Sequence, residues 1–154
     1  MGTQADALIA KWEGLHKKRP DGLYGPYLCP ALVWTIGYGT TRFPDGTPVS
    51  QATDPITREQ AACLLRYEVG RCENSALVLS PNLSLYPARL AAITSFIYNL
   101  GSGRYKASTL RRKINAGDFQ AASQEINKWV WGGGKKLPGL IARRLEESKL
   151  LWPT

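Results

Sequence analysis

The 154-residue sequence predicts an α+β fold: an N-terminal helix, a small β element, and then a helical bundle, with strands and helices segregated along the chain. Three observations carry this. Near the N-terminus, Leu8, Trp12 and Leu15 recur at helical spacing. From Leu23 to about Thr41, Gly, Pro, Tyr, Val and Thr dominate. After Pro55 the helical period returns and persists.

The first helix is expected over about Gln4–His16, with Glu13 near its C-terminal end just before Gly14. The run Val33-Trp-Thr-Ile-Gly-Tyr-Gly39 reads as a small antiparallel hairpin or three-stranded sheet, followed by a proline-rich loop over Phe43–Pro55. Thr57 with Gln60 has the spacing of a capping box, and Ala61, Leu64, Leu65, Glu68 and Val69 continue that helix. Leu90, Ile93, Phe96, Ile97 and Leu100 share one face of the next helix, with Gly101 as its stop. Ser108 or Thr109 caps a short helix ending near Gly117. Asp118 caps another, with Phe119, Ala122, Ile126 and Trp129 inward. Trp131-Gly-Gly-Gly breaks it, and a last helix covers about Pro138–Leu151, with Ile141, Leu145 and Leu151 as core. A cleft between the β element and the bundle is where such a fold holds a ligand.

The length suits one domain, 1–154, with the β element and loop at about 20–55 and a helical lobe at about 56–154. The formal charge is +8 and the sequence pI about 9.6. Such a surface favours polyanionic partners: nucleic acid, anionic membrane or anionic cell wall. Arg111-Arg112-Lys113 and Arg143-Arg144 read as solvated helix faces that add attraction to such a wall. Cys29, Cys63 and Cys72 are odd in number and fit no zinc spacing. They are expected to be free thiols made in a reducing compartment. No apolar run is long enough to span a membrane, and Met1–Trp12 lacks the basic and apolar regions of a signal peptide. No metal cluster or cofactor motif is recognisable. Gly132–Lys136 lacks the strand context of a phosphate-binding loop and reads as an interhelical connection.

Glu13 follows Trp12 at a helix end. A carboxyl against aromatic surface holds its proton longer, as a general acid for glycosidic cleavage must. By position alone it reads sooner as a solvated surface glutamate. The segment Cys29-Pro-Ala-Leu-Val-Trp-Thr-Ile-Gly-Tyr-Gly-Thr-Thr41 resembles the hallmark of phage-type lysozymes of the T4 and lambdoid kind. There a helix-end Glu precedes an Asp or Cys, and a Thr five residues further on opens a TIGYG-like strand. Here five residues separate Cys29 from Thr35, and Glu13-Gly14-Leu15 resembles the family's EGL. The similarity continues through Ser95–Gly101, Ser108–Leu110, Asn115–Asp118, Trp129, Gly133–Lys135, Leu137–Leu140, Arg143-Arg144 and Glu147, so it covers nearly the whole chain in order.

The resemblance implies a lysozyme-like fold and an endolysin: a muramidase cutting the β-1,4 bond between MurNAc and GlcNAc in bacterial peptidoglycan, without cofactor or metal. It implies Glu13 as acid with Cys29 and Thr35 beside it, and Tyr38 and Asn99 as substrate contacts. With no export signal seen, such a protein is expected to wait in the host cytoplasm for a membrane pore, as a monomer with no stable membrane insertion. Two departures stand out. Fifteen residues lie between Glu13 and Cys29, more than the family usually has, and the excess falls in His16–Tyr27. Thr40 replaces the His that often follows GYG.

An inverting hydrolase pairs its acid with a carboxylate that activates water, and a neutral thiol is a poor substitute. Three roles therefore stay open. Cys29 and Thr35 position the water, or Asp21 in the inserted segment is the base, or the substrate's C6 hydroxyl attacks, as in a lytic transglycosylase. Outside catalysis, a basic non-catalytic wall- or nucleic-acid-binding module would explain the charge, but no nucleic-acid-binding signature is present. A Cys–His hydrolase is disfavoured, because His16 has no obvious orienting partner. Asn99 reads either as a helix cap or as a cleft contact, and Trp129 with Trp131 as core ahead of sugar platform.

Overall fold

A helix opens the chain, as its spacing predicts. α1 spans Gln4–Glu13 and buries Ala5, Leu8 and Ile9. It ends at Glu13 and does not reach His16, because Gly14 adopts φ +71° and its N–H closes on Ala10 O at 2.9 Å. The computed structural model describes residues 2–153, which fall into two units: Gly2 with Asp6–Glu68, and Thr3–Ala5 with Val69 onward.

In the first unit, β1 (Tyr27–Leu28) pairs antiparallel with β2 (Trp34–Thr35). The register sets Tyr27 against Thr35 and Leu28 against Trp34. The outcome is a two-stranded hairpin and not a three-stranded sheet. Interspersed glycines and prolines cut the ladder into isolated bridges, among them Tyr24–Ile56 and Ile36–Thr40. The Gly37-Tyr38-Gly39 turn lies inside the second bridge. Gly37 is required there: its φ is +64°, and a Cβ would sit 3.2 Å from Ala61 Cβ. Tyr24, Ile36, Val49, Ile56 and Ala61 form this unit's core.

The capping box is complete. Gln60 N–H donates to Thr57 Oγ1 at 3.0 Å, and Thr57 N–H donates to Gln60 Oε1 at 2.8 Å. It starts α2, Arg58–Leu79, which carries Cys63 and Cys72. All three cysteines are free thiols. Thr57→Ala is expected to cost about 1 kcal/mol. It should appear as a lower urea midpoint with an unchanged slope.

The second unit is helical: α3 (Pro87–Leu100), α4 (Ser102–Lys106), α5 (Thr109–Asn115), α6 (Phe119–Ile126) and α7 (Pro138–Leu151). The predicted caps hold. Ser108 accepts from Arg111 N–H, Asp118 accepts from Ala121 N–H, and Gly101 ends α3. A 3-10 turn at Pro81–Leu85 and the short α4 were not expected from the sequence. Leu83, Ile93, Phe96, Tyr105, Leu110, Ile114, Ile126 and Leu151 are among the buried core residues.

Three expectations are corrected in this unit. Gly132–Lys136 is not a plain loop: β3 (Trp131–Gly132) pairs with β4 (Lys135–Lys136) across Gly133 and Gly134, both at positive φ as a tight hairpin turn requires. Of the tryptophans, Trp129 packs edge-on against Phe96, whereas Trp131 is exposed with Lys136 over its ring. Most consequential is α7. Ile141 and Leu145 are 43% and 48% exposed, while Arg143 and Arg144 are 4% and 0% exposed. The reason is Glu147, also fully buried. Its Oε1 accepts from Ser95 Oγ at 2.7 Å and from Arg144 Nη2 at 2.9 Å, with Arg143 Nε 3.4 Å away. Arg144 Nε lies 2.6 Å from Oε2, an ionic contact without hydrogen-bond alignment. Buried charges persist when they pair, so the charged face of α7 turns inward.

Candidate active site

Of the candidate site residues, Glu13 lies at the end of α1, Thr35 in β2, and Cys29 just after β1. Gly14 makes Glu13 the last helical residue, and its side chain is partly buried. His16 Nε2 is 2.8 Å from Glu13 O, which ties the following turn back onto the helix end. The His16 ring meets the Tyr27 ring edge-on, with centroids 5.6 Å apart.

Tyr27 begins β1. Its cross-strand partner is Thr35, and Cys29 lies two residues further along. Strand periodicity therefore sets Tyr27, Cys29 and Thr35 on one face of the hairpin. The connection is held by Cys29 N–H to Val33 O at 3.0 Å and Leu32 N–H to Cys29 O at 2.8 Å. Leu32 adopts φ +61°, a strained value for a branched residue, so the turn is dictated by its surroundings.

The electrostatics join these groups. Burial pushes the Tyr27 phenol above its usual pKa, and the negative charges of Glu13 and Cys29 push it further. The Cys29 thiol is lowered. The Val33 backbone is the largest cause, helped by the Ala31 backbone and the Thr35 hydroxyl against a desolvation that opposes it. Thr35 is buried, and its Oγ1 donates to Val33 O at 2.9 Å. A hydroxyl has one proton, so it donates either to that carbonyl or to the Cys29 sulfur, and its lone pairs can accept from water.

The Cys29 pKa predicts a measurable outcome. In a protein lacking Cys63 and Cys72, the alkylation rate of Cys29 should rise through a midpoint below that of an ordinary thiol. The thiolate is favoured in the folded state, so the shift disappears on unfolding. Thr35→Val should move the midpoint upward. A midpoint at or above the free-thiol value would refute the assignment.

The other predicted residues fall as follows. Asp21 lies in the inserted segment, where Oδ1 accepts from Leu23 N–H at 3.0 Å and Oδ2 pairs with Arg19 Nη2 at 3.1 Å. Tyr38 occupies the 36–40 turn and packs, partly buried, against the first unit's core. Asn99 is in the last turn of α3, in the other unit, and is not the cap, a position taken by Gly101. Its Oδ1 is buried with no hydrogen-bond partner among the described residues. Sequence reasoning missed Tyr27 as a member of the site. Its i, i+2 spacing to Cys29 was the available signal.

A partly buried carboxyl and a thiol–hydroxyl pair, with Tyr27 as their common neighbour, suit acid-assisted glycosidic cleavage, and the class so defined is a glycosidase. The phage lysozyme family model matches residues 10–147, and the chain belongs to that family. It is 36% identical over 147 residues to the endolysin of Acyrthosiphon pisum secondary endosymbiont phage 1, covering 93% of this chain and 91% of that one. The SAR-endolysin of Enterobacteria phage PA-2 is 32% identical over 139 residues, covering 86% of this chain and 79% of the other. Among solved structures, the endolysin from Escherichia coli O157:H7 phage FAHEc1 superposes with a TM-score of 0.76 at 27% identity, covering 99% and 92% of the two chains. Among the described residues, no helix is long and apolar enough to cross a membrane.

Proposed function

We propose that this phage-type lysozyme hydrolyses the β-1,4 bond between MurNAc and GlcNAc in bacterial peptidoglycan, with Glu13 protonating the leaving oxygen and Cys29 and Thr35 holding the attacking water. The observation that carries this reading is the position of Tyr27, which pairs across the hairpin with Thr35, meets His16 just after α1, and feels the charges of both Glu13 and Cys29. Further support comes from the lowered Cys29 thiol, since a larger thiolate fraction makes a better acceptor for a water proton. Asp21 as base is the weaker alternative, because both its oxygens are engaged in its own turn. Tyr38 and the orphaned Asn99 Oδ1 supply substrate contacts, and both units serve one catalytic domain. The enzyme acts as a monomer and lyses the host cell, waiting in the cytoplasm until a membrane pore opens.

Product analysis tests the reading. Digestion of purified peptidoglycan should yield reducing MurNAc ends. Predominant 1,6-anhydro ends would replace hydrolysis by transglycosylation, and an Asp21→Asn variant with full turnover would remove Asp21 as base.

A further inference from the structure

The segment between Glu13 and β1 carries Lys17, Lys18 and Arg19, cations to which the leading catalytic reading gives no role. It folds as its own turn: Arg19 N–H donates to Leu23 O at 2.7 Å, Gly22 N–H to Arg19 O at 2.9 Å, and Lys18 bridges Tyr24. Gly25 N–H adds a longer bond of 3.3 Å to Lys17 O. The turn borders a groove of about 600 Å³, whose lining includes Lys17, Arg19, Tyr27, Trp34 and Gln51. This volume lies within the usual range of small-ligand sites.

We propose that this groove is a subsite for a carboxylate-bearing part of the glycan substrate, with Lys17 and Arg19 as the cations that receive it. The proposal rests on the muramidase reading and adds the substrate feature recognised. Tyr27 carries it furthest, because the same residue borders the groove and meets His16, whose ring is bonded to the Glu13 backbone carbonyl. The charge of Glu13 also acts on the Tyr27 phenol, so the groove and the acid have Tyr27 as their common neighbour. The lactyl group of the MurNAc sugar ends either in a free carboxylate or, in native wall, in an amide-linked peptide that carries carboxylates of its own.

The cations are available. Lys17 makes no ion pair among the described residues. Arg19 pairs with Asp21, but both side chains are nearly half exposed, and such a pair contributes little and exchanges readily. A guanidinium offers a planar fork that matches a carboxylate. The Trp34 ring supplies an apolar wall for a sugar ring, and Gln51 adds amide donors and an acceptor.

The test crosses a protein change with a substrate change. A Lys17→Gln/Arg19→Gln double variant and wild type are compared on native peptidoglycan and on the same material with its carboxyls amidated. On native material the double variant should show KM raised about tenfold, the scale of one charge-assisted contact, with kcat little altered. Amidation should raise the wild-type KM by a similar factor and close the gap between the two proteins. Sedimentation of both proteins with the two materials, in a Glu13→Gln background, reads binding without cleavage. A gap that survives amidation, or no gap on native material, overturns the subsite. Sedimentation that shows the expected pattern while wild type releases no sugar ends upholds the subsite and overturns the muramidase reading instead.

Discussion

Glu13→Gln is expected to lower the release of reducing ends from purified peptidoglycan by at least about 10²-fold, the contribution general acid catalysis makes. The amide keeps the shape of the side chain but cannot deliver a proton. Glu13 ends α1 at a position fixed by Gly14, so the substitution should leave the urea midpoint close to wild type. A loss of activity without a loss of stability separates chemistry from folding. Retention of more than about a tenth of wild-type activity would mean that another group supplies the proton, contrary to the general-acid role. Cys29→Ala is expected to cost less, because water can still be held by the Thr35 hydroxyl.

The largest stability effect should come from the buried charges on α7. Glu147→Ala removes the carboxylate that Arg144, 0% exposed, donates to, and takes the acceptor from the Ser95 hydroxyl, which is left with only its contacts to Arg143. Breaking a buried pair by removing one partner costs about 3–5 kcal/mol. For a chain of this size that corresponds to a fall in Tm of about 10 °C. Replacing Glu147 and Arg144 together by Leu and Met should recover much of the loss, since well-packed apolar residues often match a buried pair. Thermal and urea unfolding read both variants. A loss below about 1 kcal/mol in Glu147→Ala would show that solvent reaches the cluster, contrary to its burial.

Legibility differed between local and tertiary features. Thr57 with Gln60, Ser108, Asp118 and Gly101 all act where their spacing placed them, because a cap depends on residues within one turn of chain. The Thr35–Gly39 motif located the end of β2 and the turn inside the Ile36–Thr40 bridge. The helical period of α7 was also correct and Leu151 is buried as expected, but Ile141 and Leu145 are not. Ile141 and Leu145 were assigned inward because apolar residues usually are, and Glu147 with Ser95 reversed that choice from 52 residues away. The Gly133-Gly134 turn was read as an absence of structure, although two consecutive positive φ values specify a hairpin.

By itself, the sequence determined the family, the α+β order of the main elements, several helix caps and the choice of Glu13, Cys29 and Thr35 as site candidates. These follow from short-range chemistry and from motifs that keep their residues in order. Only the tertiary structure decided that Tyr27 pairs with Thr35 and meets His16, that the inserted basic turn lines a groove with Tyr27 and Trp34, and that α7 turns its arginines inward. Each of those depends on which surfaces meet after the chain has folded, and a long-range pairing of charges or rings outweighs the local preference of any one residue.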